Sequence, residues 1–300
     1  MKQEKIISQS DGLQLELSIA EPRTEPKGVV QITHGMAEHK ERYYDFMEYL
    51  ADKGYICVIH DHRGHGASVK AKEDLGYFYS EDINFIVDDL LQVTEVIKER
   101  YQGLKVVLFS HSMGTLVAEN YLKKYDLAIE KLVLCGPPTE NKLAGIAIFM
   151  AKLSKMLKGD RHRSKFLNSL SVGSYDKGNK LKNQWLCTRE EVVNKYNEDE
   201  LCGYTFTNNG FINLFKLLKE AFNKNNLGMK NPGLDILVIA GKEDPVIQSE
   251  GKFYALVDFL KGIGYQNIQS KLYEGKRHEL LNEEGNANIY QEILEFIERA

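Results

Sequence analysis

Between Glu4 and Ala20, apolar and polar positions alternate around a turn at Asp11-Gly12, with Leu13, Leu15, Leu17 and Ile19 falling on one face. That period of two predicts an antiparallel hairpin. The pattern then changes. Gly28 to Thr33, Tyr55 to His60, Val106 to Phe109, Lys131 to Cys135 and Asp235 to Ala240 are short, mostly apolar runs, suited to strands buried on both faces. A further strand is expected near Asn267 to Tyr273. Helical spacing separates these runs: about Arg42 to Lys53, ended by Gly54; Ile83 to Arg100, where Ile86, Val87, Leu90, Val93 and Ile97 share a face; then Thr115 to Tyr121, Glu250 to Lys261 and Asn288 to Arg299. Such alternation predicts an α/β fold: a mostly parallel sheet of about eight strands, led by the hairpin and covered by helices on both faces.

The interval from Thr139 to Pro232 breaks the rhythm. It is too long for a loop and holds no convincing buried strand, whereas Leu143 to Leu157 and Phe211 to Phe222 show helical apolar spacing. We expect residues 139–231 to form a helical cap inserted into a core domain of residues 1–138 and 232–300. Along the first cap helix, Leu143, Ile146, Ala147, Met150, Leu153 and Leu157 form the stripe expected to pack on the body, with Ile148 and Phe149 off it.

Composition narrows the function classes. Of 300 residues, 43% are hydrophobic, enough for a substantial core, and the formal net charge of −4 gives no electrostatic reason to expect nucleic acid as a partner. No apolar run approaches the roughly 18 residues of a membrane span. The first residues, MKQEKIISQSDG, lack an apolar signal segment, so a cytoplasmic protein is expected. The four cysteines form no CxxC pair, which points to neither zinc nor a disulfide framework.

Candidate chemistry collects where buried strands end. Ser110-His111-Ser112-Met113-Gly114 joins the strand at Val106 to the helix after it, a turn that would hold the Ser112 hydroxyl away from both elements above the positive end of the helix. The usual form is Gly-x-Ser-x-Gly; Gly114 keeps the second small position and Ser110 replaces the first. A serine needs a base, and the base needs a group that fixes its tautomer. Asp244 closes the turn after Ala240, and His278 follows the last strand. The chain order Ser112, Asp244, His278 is that of α/β-hydrolases. Glu243 competes with Asp244, while Asp235 precedes its strand and would lie at the wrong end. Donors for the oxyanion map onto the backbone N–H groups of Met113 and of Met36, in the loop after Thr33. His60, His62 and His65 form an HxHxxH pattern, but no convergent carboxylate or cysteine set accompanies it. Neither a metal nor an organic cofactor is expected.

Together HGMAEHKERY (34–43), HDHRGHGAS (60–68), SHSMG (110–114), GKEDPV (241–246) and YEGKRHELLNE (273–283) resemble the monoacylglycerol lipase and lysophospholipase branch of the α/β-hydrolases. The phrases SVGSYDK, QWLCTREEVVNKY and DELCGYTFT between 171 and 206 look like its bacterial members. The resemblance implies the α/β-hydrolase fold, and a serine ester hydrolase that cleaves a lipid-like monoester through an acyl-enzyme. It implies a structural turn for DHRGHG. Ile146, Phe149 and Met150 are candidates for binding the acyl chain, and the cap, with the basic run KGDRHRSK beside it, for transient contact with a membrane surface. Small-ester carboxylesterases, acyltransferases and aminopeptidases share the scaffold, as would a ligand-binding relative without turnover.

Overall fold

The computed structural model describes residues 1–225 and 228–299; residues 226, 227 and 300, which fall within the expected cap and core ranges, lie outside the described residues. The hairpin forms as β1 (Lys2–Ile7) and β2 (Gln14–Ala20). It is followed by β3 (Gly28–Thr33), β4 (Tyr55–His60), β5 (Val106–His111), β6 (Lys131–Cys135), β7 (Asp235–Gly241) and β8 (Ile268–Tyr273). These make one eight-stranded sheet in the order β1-β2-β4-β3-β5-β6-β7-β8. β2 pairs with β1 and β4 antiparallel, and every other pair is parallel. β3, β4 and β5 are buried along their whole length, which explains their unbroken apolar sequences.

Alternate residues of the central strands face two cores. Val29, Val58, Val106, Leu108 and Leu132 pack with α2 (Asn84–Arg100), α3 (Met113–Tyr125) and α8 (Glu250–Gly262). On the other face Val30, Ile32, Phe109, Val133 and Ile239 meet Phe46, Met47 and Leu50 of α1 (Tyr44–Asp52), and Ile293 and Leu294 of α9 (Asn286–Glu298). The sequence placed the first of these helices from Arg42; Lys40–Tyr43 instead makes a 3-10 turn ahead of it.

Among the described residues, four helices separate β6 from β7: α4 (Ala144–Lys158), α5 (Lys165–Ser171), α6 (Glu190–Glu198) and α7 (Asn208–Ala221). The inner face of α4 differs from the expected stripe. Ala144 and Ala151 are buried, with Ala147, Ile148 and Met150 partly so, while Leu143, Ile146 and Leu157 are exposed. Small side chains let α4 approach its neighbour closely, an advantage that a pattern weighted by hydrophobicity alone overlooks.

The loops after β3 and β4 are fastened together by buried histidines. His62 N donates to His34 Nε2 over 2.9 Å, and His34 Nδ1 lies 2.8 Å from the Gly35 carbonyl. One neutral tautomer of His34 satisfies both bonds. The rings of His60 and His62 lie 4.8 Å apart, and those of His34 and His65 5.2 Å apart. Burial pushes His60 and His65 down to about 3, and holds His34 and His62 below the usual value of 6.5. Beside them Asp61 accepts from Lys40 N, Lys40 Nζ and Ala67 N at 2.7–2.9 Å.

An unfolded chain binds protons at these histidines below pH 6.5, and the folded chain does not, so the stability they contribute is present above that pH and lost as the pH falls toward 3. His60 and His65 should each cost about 1.4 kcal/mol per pH unit over that window, and His34 and His62 act in the same direction. Glu119, whose carboxyl burial raises to about 8, acts in the opposite sense. Urea unfolding at pH 7.5 and 5.5 should show a marked loss of stability in acid, and His60→Leu should reduce the slope by about one proton.

Candidate active site

At the end of β5 the chain must turn directly into α3, and Ser112 takes the strain, with φ 52° and ψ −121°. A positive φ costs a non-glycine residue on the order of 1–3 kcal/mol. Two close approaches permit the turn. A Cβ on Gly114 would sit 2.7 Å from His34 O and Thr33 O, and one on Gly35 would sit 3.0 Å from Ser112 Cβ. Ser110, at the other small position, is wholly buried in β5 with its hydroxyl unpartnered, so the sheet accommodates its Cβ without opening the turn. Ser112 N donates to Cys135 O over 3.0 Å, tying the turn to the neighbouring strand.

Asp244 and His278 arrive from β7 and β8. Asp244 caps the 3-10 turn Pro245–Ile247, with Oδ1 accepting from Val246 N at 2.8 Å and Oδ2 lying 2.8 Å from His278 Nδ1. Both side chains are buried, whereas Glu243 points to solvent and Asp235 starts β7 at the opposite edge. The indole of Trp185 packs 5.1 Å from the His278 ring. Glu279 N donates to Leu186 O, which fixes the same loop against the segment between α5 and α6. Nδ1 is taken up by Asp244, and Nε2 is left without a protein partner among the described residues.

Ser112, His278, Met36 and Met113 line one cavity of about 650 Å³. Leu143 just before α4, Ile146 and Ala147 of α4, and Leu214, Phe215 and Leu218 of α7 supply apolar wall. Glu38, His111, Tyr196 and Tyr204 supply polar wall. Met113 is the first residue of α3, so its N–H is an orphan donor of the helix. Of the candidates for the acyl chain, Ile146 reaches the cavity; Phe149 and Met150 do not. Phe149 is 64% exposed and Met150 packs on the core, as their places off and on the expected body-facing stripe require.

The sequence did not single out the charged cluster behind the serine. Arg42 Nη1 lies 2.6 Å from both Glu38 Oε2 and Glu279 Oε1, its Nη2 2.7 Å from Glu279 Oε2, and its guanidinium 4.8 Å from the Tyr196 ring. Glu38 Oε1 accepts from Gly35 N and from Tyr43 Oη, and His111 Nδ1 lies 3.2 Å from it. His111 Nε2 is 3.3 Å from the carbonyl of His278. Burial opposes every charge here, yet the partners outweigh it. His111 and Arg42 hold Glu38 well below the usual carboxylate range, Arg42 lowers Glu279, and Glu38 raises His111. The spacing Glu-x3-Arg in HGMAEHKERY was a visible signal for the first pair; Glu279 comes from too far along the chain to be inferred.

Among the described residues, the side chains that could together hold a metal ion are His39, Asp199 and Cys202, not the histidines of the HxHxxH pattern.

A family model described as serine aminopeptidase, S33 matches residues 24–285. The chain is similar to a monoacylglycerol lipase of Mycolicibacterium smegmatis, 24% identical over 95% of this chain and 93% of that one. It is 26% identical to a monoglyceride lipase of Homo sapiens over 95% of this chain and 86% of that one, and 25% identical to a phospholipase of Bacillus subtilis over 91% and 96%. The fold matches a thermostable carboxyl esterase from Bacillus coagulans with a TM-score of 0.89, at 22% identity over 99% of this chain and 97% of that one.

Replacing Arg42 by Met would remove the guanidinium that balances two buried carboxylates. The expected loss of stability is about 3–5 kcal/mol, read as a fall in the urea midpoint. A fall below about 1 kcal/mol would show that the cluster is solvated.

Proposed function

The chain belongs to the serine aminopeptidase S33 family of α/β-hydrolases, and on that premise we propose that it hydrolyses lipid-like monoesters, a monoacylglycerol or a lysophospholipid, through an acyl-enzyme on Ser112. The 2.8 Å contact between His278 Nδ1 and Asp244 Oδ2, with the strained Ser112 turn on the same cavity, carries the reading. The lipase and phospholipase relatives favour a lipid ester over the other substrates of the scaffold.

In this mechanism Ser112 Oγ attacks the ester carbonyl while His278 Nε2 takes its proton. Asp244 keeps the other imidazole proton on Nδ1 and balances the charge on the ring. The carbonyl oxygen becomes an oxyanion and is met by the N–H groups of Met36 and Met113. Collapse of the intermediate expels the alcohol, which leaves with the proton from His278. Water then repeats the sequence on the acyl-enzyme and releases the fatty acid. Hydrogen bonds of this kind are often loose before substrate binds, so closure of the Ser112–His278 gap belongs to the Michaelis complex.

The segment 139–231 acts as the cap. Its α4 and α7 residues form the apolar wall of the cavity, and its outer surface carries Phe149, Met156, Leu157 and Phe166, each more than half exposed, among Lys152, Lys158 and Lys165. We assign this face to transient contact with the lipid surface that presents the substrate.

Ser112→Ala should abolish cleavage of long-chain monoacylglycerol, and a fluorophosphonate should modify Ser112 alone; labelling at another residue refutes the assignment. Asp244→Asn should lower turnover by roughly 10⁴. A Phe149→Asp, Met156→Asp double variant should lose at least about tenfold in activity on monoacylglycerol in anionic vesicles while keeping its rate on a dissolved short-chain ester. Equal losses on both substrates would exclude the surface role.

A further inference from the structure

Near the proposed site, three side chains remain without a part in catalysis. His39 lies in the loop after β3, three residues beyond Met36, and Asp199 and Cys202 lie between α6 and α7. His39 Nε2 is 2.8 Å from Asp199 Oδ2 although the residues are 160 positions apart. The imidazole nitrogen, the thiol sulfur and a carboxylate oxygen all lie within 4.8 Å of one another. Cys202 N donates to Asp199 O over 3.0 Å, and Leu201 N to Asp199 Oδ1 over 2.8 Å, so a tight turn presents the carboxylate and the sulfur together. His39 is held by its neighbour Lys40, whose N–H is bound by Asp61.

We infer that His39, Asp199 and Cys202 form a binding site for one zinc ion. One imidazole, one thiolate and one carboxylate make a donor set that suits zinc and disfavours calcium or magnesium, which take oxygen ligands. His39 and Cys202 are nearly buried, while the Asp199 side chain is 35% exposed, which supplies an entry path and room for water as fourth ligand. On binding, the Nε2 proton that His39 directs at Asp199 is given up and the ring keeps its proton on Nδ1, so that the freed Nε2 lone pair coordinates; the carboxylate exchanges its bond to His39 for a bond to the metal, and the Cys202 thiol releases its proton to solvent. The adjacent Arg42 charge is already balanced by Glu38 and Glu279.

The ion would strengthen a joint that exists without it. Ala37 O accepts from Gly203 N at 2.9 Å and from Tyr196 Oη at 3.0 Å, so the segment around Cys202 already rests on the loop that carries Met36. Zinc would bridge the same segments through His39, Asp199 and Cys202, and binding to the folded chain alone stabilises it by mass action.

The test uses the full chain, stripped with chelator and titrated with zinc chloride or cobalt chloride alone. Expected are one ion per chain in equilibrium dialysis and a rise in Tm with zinc. Cobalt should give a near-ultraviolet thiolate-to-metal band with the strong visible absorption of a four-coordinate ion, and zinc should protect Cys202 from alkylation, mapped by peptide mass. Cys202→Ser and His39→Asn should each weaken zinc binding by more than about tenfold. Binding of undiminished affinity in Cys202→Ser, or a cobalt complex without a thiolate band, overturns the site. Should either variant fail to fold, the cobalt band and the protection of Cys202 in the unaltered chain decide the matter.

Discussion

Arg42 is fixed between two buried carboxylates, and through them it fixes the distance between the parts of the site that no strand connects directly. Glu38 holds the N–H of Gly35, one residue before Met36; Glu279 is one residue after His278. The proposed oxyanion donor and the proposed base are therefore registered to each other by one guanidinium. A buried ion pair is poor evidence of net stability, because desolvation consumes most of its Coulombic gain. Its geometry is another matter. Two-pronged bonds from Arg42 to Glu279 leave that loop few alternative positions, and His111 adds a second link by meeting both Glu38 and the carbonyl of His278.

The sheet sets what this cluster must hold. Parallel strands deliver the ends of β3, β5, β7 and β8 to one edge, so residues from four parts of the chain meet there without any long-range motif in the sequence. The cost falls on the backbone at Ser112, whose positive φ is imposed by a strand on one side and a helix on the other. Such strain persists only where the surroundings overdetermine the conformation. Here Gly114 and Gly35 leave the space, and Cys135 O holds the serine's amide. Ser110 shows how local that demand is: the first small position tolerates a Cβ inside the sheet, whereas the second abuts the carbonyls of Thr33 and His34 and does not.

Much of this was legible in the sequence. Buried parallel strands announce themselves as apolar runs, and loops after them are where reactive groups gather, so position and chain order singled out Ser112, Asp244 and His278 as candidates, and the fold brings their loops to one sheet edge. Glu38 and Arg42 were visible only as a charged phrase in a loop. Their burial depends on Glu279, more than two hundred positions away, and no local pattern reports that a distant carboxylate will complete a pair. His39, Asp199 and Cys202 escaped for the same reason: zinc spacing is a local signal, and these residues are joined only by the fold.

α4 illustrates a different limit. Leucine, isoleucine and methionine at helical spacing would ordinarily mark the buried face, yet the structure turns Ala144 and Ala151 inward and leaves Leu143, Ile146, Phe149 and Leu157 outside. In a helix that serves only to pack, this inversion would waste apolar area. It is coherent if the outer face has its own apolar partner, and the cavity supplies part of one, since Leu143 and Ile146 line it. Phe149, Met156 and Leu157 do not line it, and the exposed Lys152 and Lys158 lie on the same helix. Small residues on its inner face, large ones outward and lysines beside them are the features on which the proposed contact with a lipid surface rests.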